Sequence, residues 1–312
     1  MTPIVRGTTL AMLAPLAVLG SPNREPEGRG AVTGAPSTVA AQTAPDTLEA
    51  WHFPVGERME YSVTWGGARI GKSVMRVEAI DTISGVPAYR ASLETEGGPP
   101  FYRLHDKLTS WIQPAPFATL RFDQRLRQGG YHRDRRHVMD LRALTYTRYD
   151  LRDGRFEANE EESDVSIPPG ALDDVSYFYF ARLSALEVGA RYEYERYFKE
   201  DSNPVILEVL RRERIRVPAG TFNTIVVRPI IKTGGMFAEG GEAELFLTDD
   251  DRRIPVRVKT RMSIGTANFY LTEYDPGTPG ALIPADAPAI EPGSSVADST
   301  PADSTAAPGV GP

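Results

Sequence analysis

The chain has 312 residues, 41% of them apolar and 25% charged, a balance ordinary for a globular protein. Its net charge of −7 argues against general nucleic-acid binding. It contains no cysteine, which excludes disulfides, thiol catalysis, thiolate metal sites and lipid attachment through a lipobox cysteine.

Arg6 precedes an apolar run, Leu10 to Gly20, broken by Pro15. A membrane-spanning helix needs about 20 apolar residues, so the run is too short to be one. It reads as a signal peptide over 1–20, with cleavage after Gly20 or alternatively near Ala41. The expectation is an exported protein, periplasmic or associated with the cell envelope, with no transmembrane span in the mature chain. Residues 21–49 are rich in Gly, Ala, Pro, Ser and Thr without periodicity and read as a linker. Residues 276–312 have similar composition and read as a disordered tail. The folded unit is then 50–275.

Within it, apolar and polar residues alternate. Met59, Tyr61, Val63 and Trp65 share a face, and Gly66-Gly67 suits a tight hairpin. Met75, Val77 and Ala79 follow, then Tyr89, Ala91 and Leu93 after the turn at Ser84–Pro87. On the next strand Tyr102, Leu104, Leu108 and Ile112 share a face with Asp106. A carboxylate there is expected to be buried and to need a partner. Arg133 and Arg135, on a face with Tyr131 and Met139, are the candidates. Asp106 reads as a structural group that pairs with an inward Arg or caps a neighbouring backbone, or as an acid or ligand contact in a cavity.

From Arg121 to Arg155 stand ten Arg and five Asp. Guanidinium groups so arrayed bind carboxylates and phosphates, or form a solvated face neutralised by neighbouring acids. Asp153-Gly154 marks a turn. The clear helical period is Val175, Phe178, Tyr179, Arg182, Leu183 and Leu186, which predicts one amphipathic helix near Asp174–Leu186. Asp173-Asp174 can cap its start. Strands resume from Tyr192, turn at Asp201–Pro204 and Pro218–Thr221, and reach Met236-Phe237 between glycine pairs. The hairpin Gly241–Met262 and a last strand at Phe269–Leu271 complete the unit.

The pattern predicts an all-β fold: one large curved antiparallel sheet or open, half-barrel-like sheet, with one main helix packed on it. No phosphate loop, nucleophile elbow or paired-histidine zinc motif occurs. His132 and His137 fall on opposite strand faces. No catalytic residue, metal or cofactor is therefore assigned.

Four ordered segments, Phe53–Val77, Arg125–Arg136, Ile215–Pro229 and Leu247–Gly265, together resemble the bacterial DUF3108 family. The resemblance implies an exported envelope protein and supplies no catalytic residues. A curved sheet wrapped on a helix also resembles periplasmic lipoprotein carriers and sensors, by analogy of fold only.

Three functional readings follow. The first is a non-enzymatic binding protein holding a lipid or other apolar ligand in the trough of the sheet, with Tyr61, Trp65, Phe178, Tyr179 and the Met236-Phe237 loop as lining. Taken singly, each of these also reads as ordinary core. The second is an interaction or scaffold protein docking an acidic partner, an envelope protein or an anionic envelope polymer through the Arg-rich strands. The third is an enzyme acting on a polysaccharide, with Asp106 and an Arg as its polar site.

Overall fold

The computed structural model describes residues 42–43, 48–98, 102–231, 243–262, 265–278, 280 and 282–294. The strands are β1 (Gln42–Thr43), β2 (Glu57–Trp65), β3 (Ala68–Ile83), β4 (Val86–Gly97), β5 (Leu104–Pro114), β6 (Phe117–Gln128), β7 (Tyr131–Asp140), β8 (Thr145–Arg152), β9 (Arg155–Ala158) and β10 (Val165–Ser166). Helix α1 (Ser176–Leu183) follows. Then come β11 (Arg191–Tyr194), β12 (Val205–Val217), β13 (Gly220–Ile230), β14 (Glu244–Thr248), β15 (Pro255–Met262) and β16 (Gly265–Pro276).

All belong to one sheet, ordered β1-β11-β12-β13-β14-β15-β16-β2-β3-β4-β5-β6-β7-β8-β10, with β9 also on β8. Every pairing is antiparallel except β1 with β11. The expected all-β, open, half-barrel-like sheet is what the chain forms, with one α-helix among the described residues. Its cause is the period-2 pattern: in β2, Met59, Tyr61 and Val63 are buried while Arg58, Glu60 and Ser62 are less so.

Helix α1 departs from the amphipathic expectation. All eight of its residues are buried. It therefore lies within the curve of the sheet rather than on its rim, and has no wet face. Burying Tyr177, Phe178, Tyr179, Phe180 and Leu183 contributes about 1.5–3 kcal/mol each. The helix is also shorter than expected, because Ser184 turns to extended backbone (ψ 150°) and its hydroxyl bonds back to the Phe180 carbonyl at 2.8 Å.

Both flanks of the folded unit reach further than expected. Glu49 donates its amide to the Leu183 carbonyl at 3.0 Å, and Leu48 packs against the core. Beyond Pro276, Ile290 is 5% exposed. Gln113 bonds both its amide and its carbonyl, at 2.7 and 3.0 Å. Ile283 donates its amide to the Tyr89 hydroxyl at 2.5 Å. The part of the expected tail over 282–294 is thus pinned to β4 and β5, because an isoleucine and spare amide groups find matching partners there.

One segment crosses the gap that the sheet leaves open. Thr119 of β6 donates its amide to the Ala171 carbonyl at 2.9 Å. Leu172 donates to the Arg196 carbonyl at 2.6 Å and accepts from the Phe198 amide at 3.0 Å. Residues 167–174 therefore stitch the start of β6 to the chain following β11.

Candidate functional site

Among the described residues, the trough around Phe178 is filled. Tyr61, Phe178 and Tyr179 are sealed in the core, and Tyr61 and Phe178 meet around a void of only about 20 Å3. That is room for one water, not for an acyl chain. The Tyr61 hydroxyl donates to the Pro255 carbonyl at 2.8 Å. Tyr179 stacks on Trp51 at 4.9 Å between ring centroids, and its hydroxyl is buried without a hydrogen-bond partner among the described residues. Trp65 is not part of this group: it stands half-buried at the end of β2, beside the Gly66-Gly67 turn. Met236 and Phe237 lie outside the described residues.

Asp106 is buried at 4% exposure, as its face predicted. Its partner is not an arginine side chain. The carboxylate accepts the Arg127 backbone amide at 3.0 Å and the Gln128 side-chain amide at 2.7 Å. Burial raises its pKa above the usual value, and those two donors only partly counter this. Arg135 instead reaches Asp150 at 3.0 Å, and Arg133 lies over the Tyr131 ring at 5.0 Å. Register explains it: Arg133 faces Leu126 and Arg135 faces Gln124, while the Asp106 carboxylate meets the end of β6.

Most of the Arg-rich strand faces are neutralised by their own acids. Asp123 holds Arg121 and Arg136, Asp134 holds Arg125 and Arg127, and Glu162 with Asp150 holds Arg148. His137 is buried between Phe122, Tyr146 and Phe198, and burial pushes its pKa down to about 3, so the ring is neutral. His132 is exposed on the other face. Among the described residues no group of three His, Cys, Asp or Glu is placed to hold a metal ion.

Sequence reasoning missed the deepest polar contact. Arg182 is fully buried and grips Glu57 with two bonds of 2.7 and 2.8 Å, both residues being nearly inaccessible. Its guanidinium lies 3.6 Å over the Phe53 ring and also donates to the Arg252 carbonyl at 3.0 Å. A signal existed, since Arg182 sits on the apolar stripe of the helix.

Among the described residues, space for a ligand opens at the stitched seam. A cleft of about 800 Å3 opens where residues 114–117, 169–170 and 193–196 meet Leu48–Ala50 and Pro292. Proline shapes its walls: Pro114 and Pro116 have no amide to donate, so β5 ends and β6 begins around an apolar turn. Phe117 and Tyr194 supply aromatic surface, and Tyr194 packs edge-on against Phe180 of α1 at 4.8 Å. Arg196 closes the floor, donating to the Gly170 carbonyl at 2.9 Å and the Phe117 carbonyl at 2.6 Å. The rim is acidic. Glu49 reaches Arg253 at 3.5 Å and Glu193 reaches Arg191 at 2.9 Å, but exposed Glu195 has no ion pair among the described residues. The arrangement offers an apolar slot with a carboxylate at its edge, and no nucleophile with an adjacent base.

The sequence matches the family model described as a protein of unknown function, DUF3108, over residues 60–272. The chain belongs to the DUF3108 family. No curated protein matches the sequence. Among solved structures, a β-barrel-like protein of the DUF1849 domain family from Brucella abortus is 9% identical, with a TM-score of 0.42, covering 73% of this chain and 99% of that one. A protein described as exported and YmcC-like in fold, from Bacteroides fragilis, is 12% identical with a TM-score of 0.28 and covers 73% of this chain and 100% of its own. One described as a lipoprotein, from Parabacteroides distasonis, is 11% identical with a TM-score of 0.27 and the same coverage. The DUF3108 match contains Asp106, Arg182 and the cleft walls from β5, β6 and β11. Glu57, Leu48–Ala50 and Pro292 fall outside it. In this DUF3108 chain, part of the cleft wall is thus built by flanking segments.

Proposed function

We propose that the chain is an exported, non-enzymatic binding protein of the cell envelope, and that its ligand occupies the seam cleft rather than the trough of the sheet. The observation that carries this reading is the cleft itself: about 800 Å3 of space walled by Phe117, Tyr194 and prolines. That volume lies in the range typical of small-molecule sites. Apolar walls call for an apolar body, and Glu193 and Glu195 at the rim favour a neutral or cationic head over an anionic one. Export rests on Arg6 and the Leu10–Gly20 run. No helix among the described residues is long and apolar enough to cross a membrane.

Titration with the neutral apolar dye N-phenyl-1-naphthylamine tests the reading. Saturable binding is expected, and Ala115→Trp, an exposed position on the cleft wall, is expected to weaken it at least about tenfold by filling the space, a loss of ~1.4 kcal/mol. The melting temperature is expected to be unchanged. Equal binding by both proteins places the ligand elsewhere. Absence of dye binding, together with a lipid-free extract by mass spectrometry, removes the apolar-ligand reading.

A further inference from the structure

The antiparallel order places the β2–β3, β4–β5, β6–β7 and β8–β9 connections at one end of the sheet, because these strands are consecutive neighbours. Backbone bonds join them into a rim. Gly98 donates to the Ile70 carbonyl at 2.8 Å and Gly129 to the Arg103 carbonyl at 2.7 Å. Gly71 and Gly97 pair so closely that a Cβ on either would come within 2.3 Å of the facing strand's backbone.

This rim gathers cations that no neighbouring acid neutralises. Arg69, Arg103, Arg152 and Arg155 are exposed and Arg133 half-buried, and none of the five has an ion pair among the described residues. Arg152 and Arg155 stand directly opposite each other across β8 and β9, an arrangement of like charges that costs stability when nothing neutralises it. The unpaired acids on these ends are Asp153 and Glu157. Glu96 is spent on Lys72 at 2.9 Å, and Glu94 on His105 at 2.6 Å. A cavity of about 500 Å3 on the rim is lined by Arg69, Lys72, Arg103 and His105, with Glu96 as its one acid. The chain as a whole is negative, so this local excess of cations is not a by-product of composition.

Apolar groups stand among the cations. Tyr131, Leu151 and Phe156 are 37%, 40% and 36% exposed, and are half of the exposed large apolar side chains among the described residues. Leu151 and Phe156 are cross-strand neighbours beside the Arg152–Arg155 pair. Half-buried Trp65 ends β2 on the same rim. Guanidinium groups bind phosphates, and Trp, Tyr and Phe partition into the zone between headgroups and acyl chains.

We infer that this end of the sheet is a docking face for a phosphate-bearing lipid bilayer surface, with Arg69, Arg103, Arg133, Arg152 and Arg155 on the headgroups and Tyr131, Leu151 and Phe156 in the interface. This inference is independent of the seam cleft, which opens at the other end of β6.

The mature full chain is tested by co-sedimentation with vesicles of phosphatidylcholine alone and of phosphatidylcholine mixed with phosphatidylglycerol. Binding is expected only to the anionic vesicles, and is expected to fall as salt rises from about 0.1 M to about 1 M, where the screening length drops from ~10 to ~3 Å. Arg69→Glu with Arg103→Glu, and Arg152→Glu with Arg155→Glu, are each expected to weaken binding at least about tenfold, given the ordinary contribution of a basic residue at an anionic surface. Thermal melts establish that these variants fold. Trp65 gives a local signal, because Trp51 and Trp111 are buried. Its emission is expected to shift to the blue on vesicles, a shift absent in Trp65→Phe although that variant still sediments. Equal binding to neutral vesicles, or unchanged binding by folded charge-reversed variants, overturns the inference. So does a protein that binds soluble polyphosphate but sediments with neither vesicle, which would make the rim a site for a soluble polyanion.

Discussion

Asp106 shows how a single carboxylate is held inside a sheet without a counter-ion. It replaces lost hydration with one backbone amide and one side-chain amide. Because burial raises its folded pKa above the unfolded one, its contribution to stability is greatest below the ordinary carboxylate range and is lost as pH climbs through the folded value. Asp106→Asn keeps one acceptor, and Gln128 can turn its amide to serve the new group. The expected cost in a denaturant melt at neutral pH is about 1 kcal/mol, not the roughly 3–5 kcal/mol that follows a broken buried ion pair. A loss on the larger scale would show that an arginine holds the carboxylate in solution. The fully buried ion pair among the described residues is Glu57 with Arg182, 125 positions apart in sequence. The face of Asp106 was legible from alternation alone. Its partner was not, because alternation says which way a side chain points and nothing about which neighbour offers a donor.

Helix α1 is fastened by what precedes it. Asp173 accepts the amides of Val175 and Ser176 at 2.7 and 3.0 Å, and its other oxygen accepts the Ser110 and Thr119 hydroxyls at 2.5 and 2.7 Å. The capping role was readable in the sequence; the tie to β5 and β6 was not. Asp174 turns away and accepts the Tyr197 hydroxyl at 2.6 Å, leaving its second oxygen buried without a partner among the described residues. Burial pushes its pKa up to about 7, with the neighbouring Asp173 adding to the rise and the Tyr197 hydrogen bond opposing it. A carboxyl raised in the folded state favours folding most below its unfolded value. Asp174 by itself is therefore expected to lower stability by on the order of 3 kcal/mol between about pH 4 and pH 7, against the opposite contribution of ion-paired carboxylates such as Asp150 and Glu244, whose pKa values are lowered. Melts at pH 4.5 and pH 7.5 measure this, and Asp174→Asn is expected to flatten the difference. An unchanged slope in that variant would assign the pH dependence to other groups. The length of α1 escaped prediction for a related reason: a helix buried on every side keeps its apolar stripe but loses the polar face that marks where it ends.

At the scale of the whole molecule, strands and turns follow from local signals, and closure does not. Gly66-Gly67 and Asp153-Gly154 adopt the positive φ angles their hairpins need, as sequence suggested. The seam is built from five stretches spread between Leu48 and Pro292, so no local pattern could announce it. One of those stretches supports a prediction. Ile290→Asp places a charge in a buried site and is expected to lower stability by about 2 kcal/mol while leaving the sheet intact by circular dichroism. Stability equal to the parent chain would mean that residues 282–294 leave the domain in solution. A last consequence comes from β6, which contributes Phe117 to the cleft at one end and runs through Gln128 to the arginine-bearing rim at the other. Its twelve residues span roughly 40 Å at the usual rise per residue. That is several screening lengths in physiological salt and more than the thickness of a bilayer's hydrocarbon core. If the cleft and the rim bind as proposed, they share no residue and no field reaches from one to the other, so occupancy of either end is expected to leave the affinity of the other unchanged, and a chain seated on a lipid surface would present its cleft to the aqueous side.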